Sequence, residues 1–268
     1  MRLYALTVLL PMFLCTCAPA PLDAQFPYDV DEPELLADMP DILEEISGLD
    51  LKGDELIAIQ DEDGIIFRID RHSGKVLQQI DFWKEGDYEG VELVGDAIWV
   101  TKSNGNLYEV TNAGTDAQEV TEHKTWLKGE NDVEGLCYDE ANHRLLLACK
   151  DDPKGNGLDK ENRYIFAYDL ETHELLEDPV VTIPRLEGFA PSALAIHPRS
   201  GELYLTSSQG KQLLVTAPDG RVKMLMKLDK DLFPQPEGLT FAPDGTLYIS
   251  TEAGRGLPGR IYRLPLAP

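Results

Sequence analysis

Asn131-Asp132-Val133-Glu134-Gly135-Leu136-Cys137-Tyr138 runs from a carboxylate through a glycine into a short hydrophobic stretch, and the same order recurs on either side of it. Upstream stands Glu89-Gly90-Val91-Glu92-Leu93, and downstream Glu237-Gly238-Leu239-Thr240-Phe241. Two looser copies, Ser47-Gly48-Leu49 and Ser192-Ala193-Leu194, complete a series of five at intervals of 42, 45, 58 and 45 residues. A repeat of that length, with Gly- and Asp-rich turns in every unit, predicts a β-propeller in which each repeat folds one four-stranded blade around a common axis.

The first unit reads as strands over residues 48–51, 55–59, 64–70 and 75–82, and the second over 91–94, 97–101, 106–111 and 118–122. The third reads as 136–138, 145–149, 164–169 and 179–183, and the fourth as 194–197, 202–206, 211–216 and 223–228. Only three strands, 239–242, 246–250 and 260–264, remain for the fifth. Residues 32–39 have the length and apolar content to supply the missing outer strand beside 260–264, which leaves no open edge. The expected fold is thus all-β, a five-bladed propeller closed by an N-terminal strand; six blades result only if residues 18–45 form more than one strand. An insertion at residues 151–163 has the composition of a calcium loop without the EF-hand spacing, and reads as a rim loop.

The chain carries 48 acidic against 24 basic residues, a formal charge of −24. Such a surface repels nucleic acid and anionic lipid, and suits divalent cations or cationic ligands as well as a plain solvated shell. Arg2 precedes an apolar run over residues 3–14, too short to span a bilayer and of the length of an export signal. Leu14-Cys15-Thr16-Cys17 is a loose lipobox, so lipid attachment at Cys17 is expected, cleavage after Ala24 being the other reading. The organisation is then a signal over residues 1–17, a Pro-rich acidic tether over 18–31 and the propeller over 32–268. The protein is expected outside the cytoplasm, at a cell-envelope membrane, periplasmic or surface-exposed, touching lipid only through the anchor. Cys137 and Cys149 read as buried thiols, because a hairpin turning near Ala141 sets Cys149 opposite Glu134 and not opposite Cys137.

In a propeller the loops entering each innermost strand and leaving each second strand share one face. Glu89, Glu134 and Glu237, with Ser47 and Ser192, therefore form a ring beside Asp61, Lys102, Lys150, Ser207 and Glu252, and Asp87 and Asp132 lie two residues ahead of their glutamates. Two carboxylates about 6 Å apart repel by roughly 3 kcal/mol at an effective dielectric near 20, so the ring's charge must be answered. A bound cation does so, with Glu89, Glu134 and Glu237 as ligands and Ca2+ ahead of Mg2+ for hard oxygen donors. Ser47, Asp61, Lys102, Lys150, Ser192, Ser207 and Arg255 would then contact a small or peptide ligand. The alternatives are that one or more of the glutamates take up a proton with a raised pKa, or that Lys102 and Lys150 neutralise them.

A second reading is a metal-dependent hydrolase of lactones, esters or phosphoesters, with Asp87, Asp132 or Glu252 as base for a metal-activated water. His72, His143, His173 and His197 fall in turns on the opposite face, His123 lies on an outer strand, and no G-x-S-x-G motif occurs, which argues against a histidine-activated nucleophile at the ring. The third reading is an interaction scaffold whose glutamates only lock blades together.

Residues 28–264 resemble the SdiA-regulated family of bacterial envelope β-propellers through Glu45-Ile46-Ser47-Gly48, Gly86-Asp87-Tyr88-Glu89-Gly90, residues 131–137, Leu145-Leu146-Leu147-Ala148-Cys149-Lys150 and Phe233-Pro234-Gln235-Pro236-Glu237-Gly238. The resemblance implies an exported, often membrane-associated propeller. More distantly the chain is similar to the senescence-marker and gluconolactonase propellers, which implies a metal-binding Glu at the start of an inner strand. Glu89, Glu134 and Glu237 are its counterparts here. The Asn and Asp ligands of those enzymes have no clear match, which argues against lactonase activity.

Overall fold

A computed structural model describes residues 26–151 and 157–266. The export signal, Cys17, the first part of the tether and the middle of the insertion lie outside the described residues.

Five antiparallel sheets surround one axis. Blade one contains β2 (Ile46–Lys52), β3 (Glu55–Gln60), β4 (Ile65–Asp70) and β5 (Val76–Asp81) in that order from the axis outward. Blade two repeats the order with β6 (Tyr88–Val94), β7 (Ala97–Lys102), β8 (Leu107–Thr111) and β9 (Glu119–His123). Blade four has β15 (Ala193–Ile196), β16 (Leu203–Ser207), β17 (Gln212–Thr216) and β18 (Val222–Lys227).

Blade three contains β10 (Val133–Asp139), β11 (Arg144–Cys149) and β12 (Asn162–Asp169), but its outer edge is split. Two short strands, β13 (Glu174–Leu175) and β14 (Val181–Pro184), share β12 as partner where one strand over residues 179–183 is expected. Asp178-Pro179 falls in the gap, and proline has no N–H to give to the ladder.

Blade five is completed from the far end of the chain. Its three strands β19 (Pro236–Phe241), β20 (Leu247–Thr251) and β21 (Arg260–Leu264) are joined by β1 (Glu34–Asp38), which pairs antiparallel with β21. Glu34 lies opposite Arg263 and Asp38 opposite Arg260, and both pairs close as ion pairs. Residues 26–31, read as tether, are already part of the folded body. Tyr28 is buried against Phe26, Tyr204 and Phe241, and its hydroxyl donates to the Gly245 carbonyl at 2.7 Å.

The core is five cores, one in each gap between neighbouring blades. Ile57, Ile66, Val91 and Val100 fill the gap between blades one and two; Trp99, Leu107, Leu136 and Phe166 fill the next. Phe189 and Leu205 pack between blades three and four, Tyr204 and Ile249 between four and five, and Phe67 and Ile261 close the circle. Burying each such side chain is worth about 1.5–3 kcal/mol, and because every gap needs both neighbours the ring is stable only when closed. Cys137 and Cys149 are free and buried.

Glycine permits the tight approach of the inner strands. A Cβ on Gly90 would stand 2.6 Å from that of Leu136 on the next blade, and one on Gly238 would stand 2.7 Å from that of Leu49. Neither contact is tolerable without moving a blade.

Candidate functional site: an acidic axial mouth

A β-bulge aims each ring side chain. The pairing register shifts between Ile46 and Gly48, Tyr88 and Gly90, Val133 and Gly135, and Pro236 and Gly238, so Ser47, Glu89, Glu134 and Glu237 are the extra, unpaired residues of their strands. Blade four lacks the bulge because β15 begins at Ala193, just after Ser192. The bulge also explains why Cys149 lies opposite Val133, one residue away from the partner expected of an unbroken ladder.

One backbone bond recurs beneath the bulges. The N–H groups of Asp61, Ser103, Lys150 and Glu252 donate to the carbonyls of Glu45, Asp87, Asp132 and Gln235 at 3.3, 3.0, 2.7 and 2.9 Å. These residues occupy equivalent rim positions, with Ser208 as the blade-four counterpart by register. Lys102 and Ser207, expected at the mouth, sit one residue earlier, and a single step along a strand turns a side chain to the other face. Lys102 accordingly places its ammonium 5.0 Å from the centre of the Tyr88 ring. Ser207 is buried and its hydroxyl accepts from the N–H groups of Ala190 and Gly210. Ser103 and Ser208, which the sequence pattern does not single out, face the mouth: Ser103 donates to Asp87, and the Ser208 hydroxyl hydrogen-bonds Glu237.

The two ring serines are spent on the fold. Ser47 Oγ donates to the Tyr88 carbonyl at 2.7 Å and Ser192 Oγ to the Pro236 carbonyl at 2.6 Å, each the residue just before the ring glutamate of a neighbouring blade. Both are buried. Arg255 lies on the rim, exposed and ion-paired with Asp231 at 2.8 Å.

The carboxylates feel one another's charge. Glu89 is pushed up to about 10, first by burial, then by the charges of Glu134, Asp87 and Glu237, and by sharing a hydrogen bond with Asp87. Burial, with Glu134 and Glu252 adding to it, holds Glu237 well above the usual carboxylate range. Glu252 rises to about 7 through burial and the charges of Asp61, Glu45 and Glu134, and Asp61 to about 6 through burial, Glu45 and Glu62. Asp132 is raised as well, mostly by burial. Blades one, two, three and five thus supply acids to a single mouth, and blade four supplies the Ser208 hydroxyl.

Lys150 is the ammonium inside this arc. Its Nζ bonds Glu134 Oε1 and stands 3.6 Å from Asp132 Oδ2. Burial works against its charge, but Glu134, Asp132 and Glu237 outweigh burial and hold it above the ordinary lysine range. Burial raises Glu134 to about 7 even though Lys150 pulls the other way. The other oxygen, Glu134 Oε2, is buried without a hydrogen-bond partner, as is Asp61 Oδ1. Among the described residues no group of three or more His, Cys, Asp or Glu stands close enough together to hold a metal ion.

Deeper along the axis lies a second tier that the repeat pattern did not flag. Asp50 Oδ2 accepts the Leu93 N–H of the next blade at 2.9 Å, and Glu92 and the Cys137 thiol lie beside Tyr138 and Ile196 of the blades that follow theirs. Thr240 Oγ1 donates to Asp50 Oδ1 at 3.0 Å and completes the tie between blades five and one. Burial raises Asp50 to about 6 and Glu92 well above its ordinary value. Through Asp50 this girdle ties blade one to blades two and five.

The fold has solved relatives among both enzymes and binding proteins. A calcium-binding protein, regucalcin, from Agrobacterium tumefaciens matches with a TM-score of 0.56 at 10% identity over 88% of this chain and 94% of that one. A gluconolactonase from Xanthomonas campestris gives 0.54 at 15% identity, covering 82% and 72%, and a luciferin-regenerating enzyme 0.54 at 13%, covering 87% and 95%. At such identities the likeness is one of fold. The comparison with curated proteins gave no match. The SdiA-regulated family matches residues 28–264, nearly the whole of the described structure, and the chain belongs to that family.

Proposed function

We propose that this protein is an exported, lipid-anchored binding propeller whose axial mouth takes a divalent cation together with a small or peptide ligand. The observation that carries the reading is Glu134: a buried carboxylate with one oxygen left unpartnered, in the middle of an arc of acids gathered from four blades. An orphaned buried oxygen costs about 1–3 kcal/mol, and a ligand that satisfies it recovers that energy.

The donors fit a hard cation in chemistry, all being carboxylate oxygens with serine hydroxyls beside them, and Ca2+ suits them before Mg2+. Glu89, Glu134 and Glu237 would hold the ion, drawn together from the spacing they have without it, with Asp87, Asp132 and Glu252 around them. Uptake exchanges protons for the ion, since several of these acids carry raised pKa values. The calcium-binding regucalcin shares the fold, which agrees with this reading.

Calorimetric titration of residues 26–268 with Ca2+ tests it, wild type against Glu134→Gln. Heat of binding in the wild type, reduced at least tenfold in affinity in the variant, is expected; no heat in either protein removes the reading. The anchor is tested separately, by fractionating cells that carry the whole chain or its Cys17→Ser variant. The whole chain is expected in the membrane fraction and the variant in the soluble one; equal distribution removes the anchor.

A further inference from the structure

We infer that Lys150 is a tethered occupant of the cation position, which an incoming cation must displace from Glu134. The inference rests on the cation-binding reading above and adds a competitor built into the chain.

Position and bonding both support it. Equivalent rim positions hold Asp61, Ser103, Ser208 and Glu252, so the mouth has one ammonium among its five rim residues, and that one turns inward. Its Nζ sits on Glu134 Oε1 and near Asp132, while Glu134 Oε2 is left buried and bare. A carboxylate with one oxygen on a flexible lysine and the other unpaired is half-satisfied, and a divalent ion reaching both oxygens satisfies it fully. The lysine has somewhere to go. Its side chain is 31% exposed, so its four-carbon stem can swing the ammonium to water without moving β11.

Two consequences follow for the ligand. The occupant that wins this exchange carries concentrated positive charge, because it replaces a full ammonium among several carboxylates. Its affinity is set by the difference between its own hold on Glu134 and that of Lys150, so the lysine sets the concentration at which the site fills.

The test uses Ca2+ alone with wild type, Lys150→Met and Glu134→Gln, each first checked for a cooperative thermal transition. Lys150→Met is expected to bind Ca2+ at least about tenfold more tightly than wild type, a shift of about 1.4 kcal/mol. Wild-type binding with equal or weaker binding by Lys150→Met overturns the tethered occupant and leaves the cation site standing. No binding by wild type or Lys150→Met overturns both. Side-chain NMR of wild type labelled with 15N-lysine gives an independent reading that needs no variant. Saturating Ca2+ is expected to move or erase the Lys150 ammonium resonance, and an unchanged resonance in a Ca2+-bound protein overturns the exchange.

Discussion

Ser47 Oγ reaches from blade one to the carbonyl of Tyr88 on blade two, 2.7 Å away, and so fixes the residue immediately before Glu89. A buried hydroxyl of one blade thus sets where the acid of its neighbour points. Ser192 does the same for Glu237 through Pro236.

Removing either lock leaves a buried carbonyl without its donor, at a cost of about 1–3 kcal/mol. Ser47→Ala and Ser192→Ala are each expected to lower the unfolding free energy by that amount in urea titrations. Ser207→Ala, at a hydroxyl that accepts two backbone N–H groups within its own blade, is expected to cost a similar amount while leaving cation affinity unaltered. Weakening of Ca2+ binding should follow the Ser47 and Ser192 changes only.

The acids of the mouth give stability a definite pH slope. Glu134 and Glu252 rise from the ordinary glutamate value to about 7, so the folded protein holds protons there that the unfolded chain releases. Where the native state binds more protons, stability falls as pH rises. The contribution is fully present below about pH 4.5, the unfolded value, and is lost as pH climbs through 7. The melting temperature is expected to drop between pH 5 and pH 8 (roughly the window these values define), and Glu252→Gln is expected to flatten the drop. Added Ca2+ should stabilise most at the alkaline end, where Glu134 and Glu252 have given up their protons, and a melting temperature that rises with pH without metal would contradict this picture.

Gly90→Ala places a methyl 2.6 Å from the Leu136 Cβ across the gap between blades two and three. Overpacking of this kind costs typically about 1–3 kcal/mol, and here it also widens the ring. Gly129→Ala, where a Cβ meets nothing within 4 Å, is the matched control and is expected to leave thermal stability within about 0.5 kcal/mol of wild type.

Cys137 and Cys149 are expected to resist thiol reagents in the native protein and to react together on unfolding, for both are buried and free, and burial pushes both thiols up. Labelling followed by mass spectrometry along a urea titration reads this. Early, separate reaction of Cys137 would mean that the axial girdle opens before the blades do.

Much of this was legible in the sequence, for reasons particular to each part. The glutamate-glycine pairs mark inner strands because the blades repeat the same crowding at the axis, and Gly90 and Gly238 show that crowding directly. The strand at residues 34–38 could be read because the fifth unit was visibly one strand short. Lys102 lies off the mouth because the bulge at Glu89 shifts its ladder by one residue, and a bulge marks the chain only with a glycine, which tight turns and close strand packing also require. The girdle of Asp50, Glu92, Cys137 and Thr240 escaped notice since its members differ in type and share only a depth along the axis. The ring serines looked like ligand contacts in one dimension, and only the neighbouring blade shows that their hydroxyls are already engaged.

Phe26 and Leu266 pack against the same cluster between blades four and five, so the described chain begins and ends in one place. For a closed circle the starting point is then a matter of covalent convenience. A short linker joining these ends, with a new opening cut in an exposed outer turn such as that around Asp116, should yield a rearranged polypeptide that refolds to the same ring, and blade five would keep all four of its strands from one uninterrupted length of backbone.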